Sequence, residues 1–436
     1  MFNEQNAVEN FIRDLLTGAY SGKTDALEPR AEYDGVPLTK TTAGLGWTFV
    51  LGKDLPRTQA DVLLMPLLRD ALIKLNPCIA ARPDFADEVL YKLRAILLSV
   101  HSDGLVKANE EFAAWLRGER TMPFGPNNEH VPVLLIDFAD WRNNHRVVST
   151  QVTFKPGAEK RFDLVLWVNG IPLVVGEAKT PTRPAVSWVD GAAQVHDDYE
   201  RSVPAFFVPN VFSFATEGKT FRFGSIKMPI ELWGCWRDED DSYLPTPKIN
   251  GGNAGSLSEV KQAVQGLLRP EVVLDILENF TLYATDKKYR KIKVLCRYQQ
   301  YQTANQIVER VAAGRIKRGL IWHFQGSGKS LLMVFAAQKL RRHAALKAPT
   351  VIIVVDRIEL DAQITATFNA ADIPNVVTVD SRDELKRLLT ADTRKLLITT
   401  IHKFGEASGV LNSRDNIILM VDEAHRTQEG DLRPLA

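Results

Sequence analysis

Two carboxylates and a lysine interrupt an apolar stretch where charge has no easy place. In RFDLVLWVNGIPLVVGEAKTP, residues 161–181, Asp163 stands in the first run of Val, Leu and Trp, and Glu177 and Lys179 stand in the second. Both runs have the β-branched and aromatic content of strands, and Asn169-Gly170 between them signals a hairpin turn. Charge buried in such a sheet is costly unless something pairs with it. A divalent ion such as Mg²⁺ held by Asp163 and Glu177 supplies that pairing. It would polarise a phosphate ester and generate hydroxide from water. Lys179 would orient the attacking water or offset negative charge in the transition state.

This chemistry needs all three groups on one face of the sheet. Glu177 and Lys179 share a face because side chains alternate with a period of two. Asp163 depends on the turn. A two-residue Asn169-Gly170 loop pairs Val168 with Ile171 and puts Asp163 on the face opposite Glu177. A three-residue loop, with Gly170 as a bulge at positive φ, pairs Trp167 with Ile171 and sets Asp163 across from Val175, on the Glu177 face. The bulged register is therefore expected.

A second constellation lies further along. GLIWHFQGSGKSLLMVFAAQKL predicts a strand running into Gly326, Ser327, Gly328, Lys329 and Ser330 and then a helix. Glycines let backbone N–H groups curl around a phosphate, a lysine such as Lys329 can reach the β- and γ-phosphates, and the Ser330 hydroxyl can bind Mg²⁺. His323 stands where the usual G-x-x-x-x-G-K-[ST] pattern has its first glycine. NIILMVDEAHR is an apolar run ending in Asp422 and Glu423. Asp422 would hold Mg²⁺ through water, Glu423 would activate the attacking water, and His425 is placed to sense the γ-phosphate.

The elements around these sites follow from pattern. The first 120 or so residues read as mostly helical, with ADVLLMPLLRDALIKLN and ADEVLYKLRAILLSV at helical spacing. From 131, short β-rich runs alternate with turn residues, and INGGNAGSLSE (249–259) is a Gly/Asn/Ser linker. From 318, near-continuous apolar runs (GLIWHF, TVIIVVD, KLLITTI, NIILMV) alternate with helices, as in a parallel sheet covered on both faces. The expected fold class is α/β: an N-terminal α+β domain over 1–248 (helical over 1–125, with a mixed-sheet core over 126–248), a linker and helical connection over 249–290, and a doubly wound parallel sheet over 291–436.

Composition bounds the rest. The 436 residues exceed one core, and a net charge of +1 favours neither nucleic acid nor membrane except through local patches. The three cysteines, Cys78, Cys235 and Cys296, have no metal-ligand or disulfide spacing, which fits a reducing cytoplasm. No apolar run approaches the roughly 20 residues of a membrane span, and MFNEQNAVENF lacks the form of a signal peptide.

An aspartate followed by Glu-x-Lys on adjacent strands is similar to the PD-(D/E)xK nucleases. AAQVHDDY resembles the Q-x-x-x-Y element of RecB-like nucleases: Gln194 matches, Tyr199 falls one residue late with Asp198 in its place, and Phe162 replaces the proline before the aspartate. Neither change removes a metal ligand. QGSGKS with DEAHR resembles superfamily 2 helicases and translocases. VVDRIELDAQ (354–363) and ITTIHKF (398–404) look like that family's nucleic-acid-contacting segments. CRYQQYQTANQIVERV looks like its adenine-reading Q motif, with Gln300 as the reader. Lys287, Lys288, Arg290, Lys291, Lys293 and Arg297 form a basic cluster beside it, open to a nucleic-acid role or to a solvated surface.

Together, over most of 130–436, these motifs resemble the R (restriction, motor) subunit of type I restriction enzymes. The resemblance implies a restriction-endonuclease-like domain followed by a first RecA-like lobe, with ATP and Mg²⁺ as cofactors. It also implies partnership with double-stranded DNA and with modification and specificity subunits in a bacterial or archaeal cytoplasm, without a membrane. It offers Glu9, on the first helix, as a further nuclease acid. A second RecA-like lobe is expected beyond Ala436, so the 436 residues read as a portion of a longer subunit that by itself binds nucleotide weakly and does not translocate. Two other readings stay open. One is a DNA-repair helicase-nuclease or a single-chain restriction-modification enzyme. The other is a nucleotide-gated DNA-binding scaffold with an inactive nuclease, against which intact Asp163, Glu177 and Lys179 argue.

Overall fold

Leu68, Ala71 and Leu72 turn one side of helix α2 (Met65–Leu75) into the core, and Val89, Leu90, Leu93 and Leu97 do the same for α3 (Phe85–Leu98). With α1 (Ala7–Thr17) and α4 (Leu105–Leu116), these form the helical region expected before residue 120. The computed structural model describes residues 7–18, 44–157, 159–180, 185–236, 257–286, 288–323, 326–355, 376–379, 381–391, 393–400 and 412–422. It divides into two units, 1–281 and 282–436.

The first unit is built on a six-stranded mixed sheet. Its strands, in spatial order, are β1 (Thr48–Phe49), β2 (Arg146–Phe154), β3 (Lys160–Val168), β4 (Ile171–Ala178), β5 (Phe212–Thr216) and β6 (Phe221–Gly224). The β1–β2 and β4–β5 pairs are parallel and the others antiparallel. Every residue of β4 is buried, which explains its near-continuous apolar sequence. Helix α5 (Trp188–Ala193) follows β4 and opens on Ser187, whose hydroxyl accepts from Val189 N–H while Asp190 accepts from Ser187 N–H.

The β3–β4 hairpin corrects the expected register. Val168 pairs with Ile171, so the loop is the tight two-residue one, with Asn169 at φ 50° and Gly170 at φ 78°. Two successive positive φ values make the primed turn that matches strand twist. The extra residue lies inside β4 instead: Trp167 pairs with Pro172, but Leu166 pairs with Val174, leaving Leu173 as a bulge. Pro172 explains the position. It has no N–H for the ladder, and proline in a sheet is tolerated at bulges. The bulge restores what the tight turn removes. One residue past the Leu164–Gly176 pair, Asp163 faces Glu177 rather than Val175.

The connection expected over 249–290 also divides differently. Helices α6 (Ser258–Leu267) and α7 (Pro270–Asn279) belong to the first unit, where Trp47 Nε1 donates to the Leu268 carbonyl at 2.8 Å. The Gly/Asn/Ser run through residue 256 lies outside the described residues.

The second unit begins one residue into a hairpin, β7 (Thr281–Thr285) and β8 (Lys291–Leu295), and continues with helix α8 (Tyr298–Ala313). Helix α9 (Lys329–Arg342) precedes an all-parallel sheet of β9 (Thr350–Val355), β10 (Val376–Thr378), β11 (Leu396–Thr400) and β12 (Ile417–Val421), in the order β10-β11-β9-β12, with α10 (Arg382–Thr390) between β10 and β11. Ile352, Val354, Val379, Leu385, Leu389 and Leu397 form one buried cluster of it. The strand expected at GLIWHF is not formed among the described residues. Residues 318–323 carry no strand, Leu320 and Trp322 are exposed, and β12 pairs with β9. An apolar run becomes a strand only where a neighbour completes its ladder, and among the described residues this one has none.

Candidate active site

Asp163, Glu177 and Lys179 meet across the two central strands of the first sheet, Asp163 on β3, Glu177 on β4 and Lys179 just past its end. Asp163 Oδ2 accepts from the Ala178 backbone N–H at 3.0 Å, across from its own strand. Glu177 is 2% exposed, and its Oε1 accepts from Lys179 Nζ at 2.6 Å. Its Oε2 is buried and has no hydrogen-bond partner. An unsatisfied buried carboxylate oxygen is expensive, and here it stands beside a second carboxylate.

The electrostatics follow from that crowding. Burial first, then the charge of Asp163, pushes the Glu177 carboxyl up to about 8. Burial also raises Asp163, against opposing help from the Ala178 N–H and Lys179. Such a pair shares a proton when nothing else neutralises it. A divalent cation would reverse the preference and ionise both. Among the described residues no group of three or more His, Cys, Asp or Glu side chains forms a metal cage. The fit to a metal therefore rests on this pair and on the orphaned Glu177 oxygen.

Lys179 is held from its other side. Its Nζ donates to Gln194 Oε1, Gln194 Nε2 donates to the Tyr199 hydroxyl, and that hydroxyl donates to the Arg161 carbonyl at 2.9 Å. The one-residue delay of Tyr199 is absorbed by the backbone. Gln194–Tyr199 is a π-helical turn, in which residues five apart come onto one side. Phe162, where a proline was expected, packs edge-on against the Tyr199 ring at 5.1 Å and stacks on Phe206. Asp198 instead pairs with Lys160. Glu9 projects from α1 to the same place. It is 4% exposed, its Oε2 accepts from Gln151 Nε2 at 2.6 Å, and burial followed by Asp163 pushes its carboxyl up to about 8. Gln151 carried no signal in the sequence. A glutamine in a β-rich run is ordinary.

In the second unit, Gly326 and Gly328 have φ of 83° and 82°, and Lys329 and Ser330 open helix α9. The Ser327 hydroxyl is buried without a partner. A left-handed glycine turn feeding a helix N-terminus fits a phosphate. Gln300 sits beneath this loop. Its Oε1 accepts from Arg297 N–H at 2.8 Å and its Nε2 donates to the Gly328 carbonyl at 3.1 Å. A Cβ at 328 would stand 2.4 Å from that amide nitrogen, so glycine is required for the approach. Each end of the Gln300 amide thus makes one hydrogen bond within the protein. His323 bonds Thr303 of the same helix at 2.9 Å. Asp422 follows β12, its N–H donating to the Val354 carbonyl at 2.9 Å. Glu423, His425, Lys287, residues 356–363 and residues 401–404 lie outside the described residues. In the basic cluster, Arg290 pairs with Asp286 at 2.8 Å and Lys293 is buried.

Comparison with known proteins agrees with this division. Residues 35–229 match the type I restriction enzyme R protein N terminus, and residues 299–434 match the SWI2/SNF2 ATPase family. The chain is 32% identical over 414 residues to the type I restriction enzyme HindI endonuclease subunit of Haemophilus influenzae, covering 88% of this chain and 38% of that protein. It is 24% identical over 318 residues to the type I restriction enzyme SauMSSORF170P endonuclease subunit of Staphylococcus aureus, covering 71% of this chain and 32% of that protein. The chain thus spans well under half the length of these relatives.

Proposed function

We propose that the chain is the nuclease and motor portion of a type I restriction enzyme R subunit, a reading supported by the two family matches and by the Haemophilus influenzae relative. In this reading ATP hydrolysis in the second unit drives double-stranded DNA past the complex. The first unit cuts unmodified DNA with Mg²⁺. Modification and specificity subunits in the cytoplasm supply recognition of the DNA site. No helix among the described residues is long and apolar enough to cross a membrane.

The observation that carries the reading is the orphaned Glu177 Oε2 beside Asp163, with Lys179 fixed between Glu177 and Gln194. Asp163 and Glu177 would hold the metal ion. When bound, the ion neutralises charge at the scissile phosphate and acidifies water. The chain's own groups do the positioning. The Ala178 N–H turns Asp163 toward Glu177. Lys179 holds one Glu177 oxygen, leaves the other open, and places a cation where negative charge grows in the transition state. Gln194 and Tyr199 fix that cation through the Arg161 carbonyl.

In the second unit, the loop N–H groups and Lys329 would hold the nucleotide phosphates, with Ser330 and Asp422 toward its Mg²⁺, Glu423 toward the attacking water and His425 toward the γ-phosphate. Gln300 holds the loop from beneath through Gly328. Plasmid cleavage by the full-length protein, with and without modification and specificity subunits, ATP and Mg²⁺, tests the whole. Cleavage is expected only when all are present. Cleavage independent of ATP would remove the coupling, and none under any condition would favour an inactive scaffold.

A further inference from the structure

We propose that Gln151 is a positioning residue of the nuclease centre, holding its carboxamide between Glu9 on α1 and Asp163 on β3. The inference rests on the nuclease reading of Asp163 and Glu177.

Strand β2 brings Gln151 to Asp163. Thr150 pairs with Leu164 and Val152 with Phe162, so Gln151 and Asp163 face each other between those pairs. At that point the strand is distorted: Gln151 has φ 53°, a left-handed conformation that a glutamine in a strand does not adopt unaided. Strain of this kind persists where the surroundings impose it, and it gathers at functional sites. The surroundings are visible. The turn at Gly52–Asp54 closes directly over the kink, where a Cβ on Gly52 would stand 2.6 Å from the Gln151 carbonyl oxygen and 2.7 Å from that of Thr150.

The kink delivers the side chain. Gln151 Nε2 donates to Glu9 Oε2 at 2.6 Å and lies 3.4 Å from Asp163 Oδ1. Asp163 is then held at both oxygens, by Gln151 on one and by the Ala178 N–H on the other. A carboxamide suits the task. It offers two N–H groups to two carboxylates and brings no charge. A lysine or arginine here would bind the carboxylates more strongly but would cancel the negative potential that draws a cation. Groups that hold a ligand from behind orient its remaining lone pairs. Gln151 therefore links the first helix to the face of Asp163 that Glu177 completes.

The test uses the full-length protein with Gln151→Gly, which removes the carboxamide and accepts the left-handed backbone. Mn²⁺ affinity is read by calorimetry without nucleotide or DNA, and the Mg²⁺ concentration for half-maximal cleavage is read in the assembled enzyme. Both are expected to weaken by about tenfold or more, the range for residues that support a metal ligand. In a Glu9→Gln background the same change is expected to cost less than about threefold, because the amide then has one carboxylate fewer to separate. Gln151→Asn, which tolerates the backbone and keeps a shorter amide, is expected to fall between, and it takes glycine's place in the cycle if Gln151→Gly does not fold. Wild-type metal affinity and Mg²⁺ dependence, or an effect fully additive with Glu9→Gln, overturns the inference. Asp163→Ala is measured alongside. If it abolishes cleavage while Gln151→Gly behaves as wild type, only this inference fails. If Asp163→Ala also cuts normally, the nuclease reading fails with it.

Discussion

Gln194 reaches the Tyr199 hydroxyl across a π-helical turn, five residues apart where an α-helical face brings together residues four apart. The insertion that delays Tyr199 in the sequence is taken up as one wide turn of backbone. The side chain arrives where Lys179 needs it, through Gln194.

Tyr199→Phe tests that relay. The ring keeps its edge contact with Phe162, but the hydroxyl that accepts from Gln194 and donates to Arg161 is lost. Stability should fall by about 1 kcal/mol, and cleavage by about tenfold as Lys179 loses its fixed position. Unchanged cleavage with a folded variant would mean that the relay is packing alone.

The hairpin shows how much was legible. Asn169-Gly170 marked the turn, and the three polar residues marked the site. The face was right and the register was not. Asp163 sides with Glu177 because of a bulge at Leu173, whereas the sequence pattern placed the bulge at Gly170. Pro172 held the missing information, since a residue without N–H inside a buried strand implies a break in the ladder. Gln151 was not legible, because its left-handed φ comes from Gly52 and the turn above it, distant in sequence. GLIWHF failed for a related reason: apolar content predicts burial, but a strand needs a neighbour.

Metal-free protein should lose stability as pH rises. Glu9 and Glu177 both have folded values pushed up to about 8 from an ordinary 4.5. A raised group binds its proton more tightly when folded. Its contribution is complete below about pH 4.5 and is lost as pH climbs through about 8. Equilibrium unfolding of the first unit between pH 5 and 9 should show this decline, and Mg²⁺ should oppose it at the alkaline end. Stability that rises with pH in the absence of metal contradicts the description of the carboxylate cluster.

Gly328→Ala should cripple nucleotide binding. The new Cβ meets Gln300 Nε2 at 2.4 Å, and φ 82° is strained for any other residue. Affinity for ATP, measured by fluorescence of a labelled analogue, should fall by at least about tenfold, while DNA-independent folding of the first unit is unaffected. Wild-type affinity would mean that the loop is not where phosphate binds.

Lys329→Ala should abolish ATP hydrolysis and ATP-dependent DNA movement in the assembled enzyme without unfolding the protein, because α9 loses only the side chain at its first residue. ATPase at the wild-type rate would remove the phosphate-loop assignment.

In the proposed function the central strands β3 and β4 of the first unit hold the cutting chemistry and a different unit holds the motor. Asp163→Ala and Glu177→Ala, each assembled with modification and specificity subunits, should be measured for DNA-stimulated ATPase and for plasmid cleavage in the same preparation. Near-normal ATPase and no cleavage are expected in both variants. Cleavage at the wild-type rate in either one would show that the Asp163–Glu177 pair is structural and would contradict the nuclease reading.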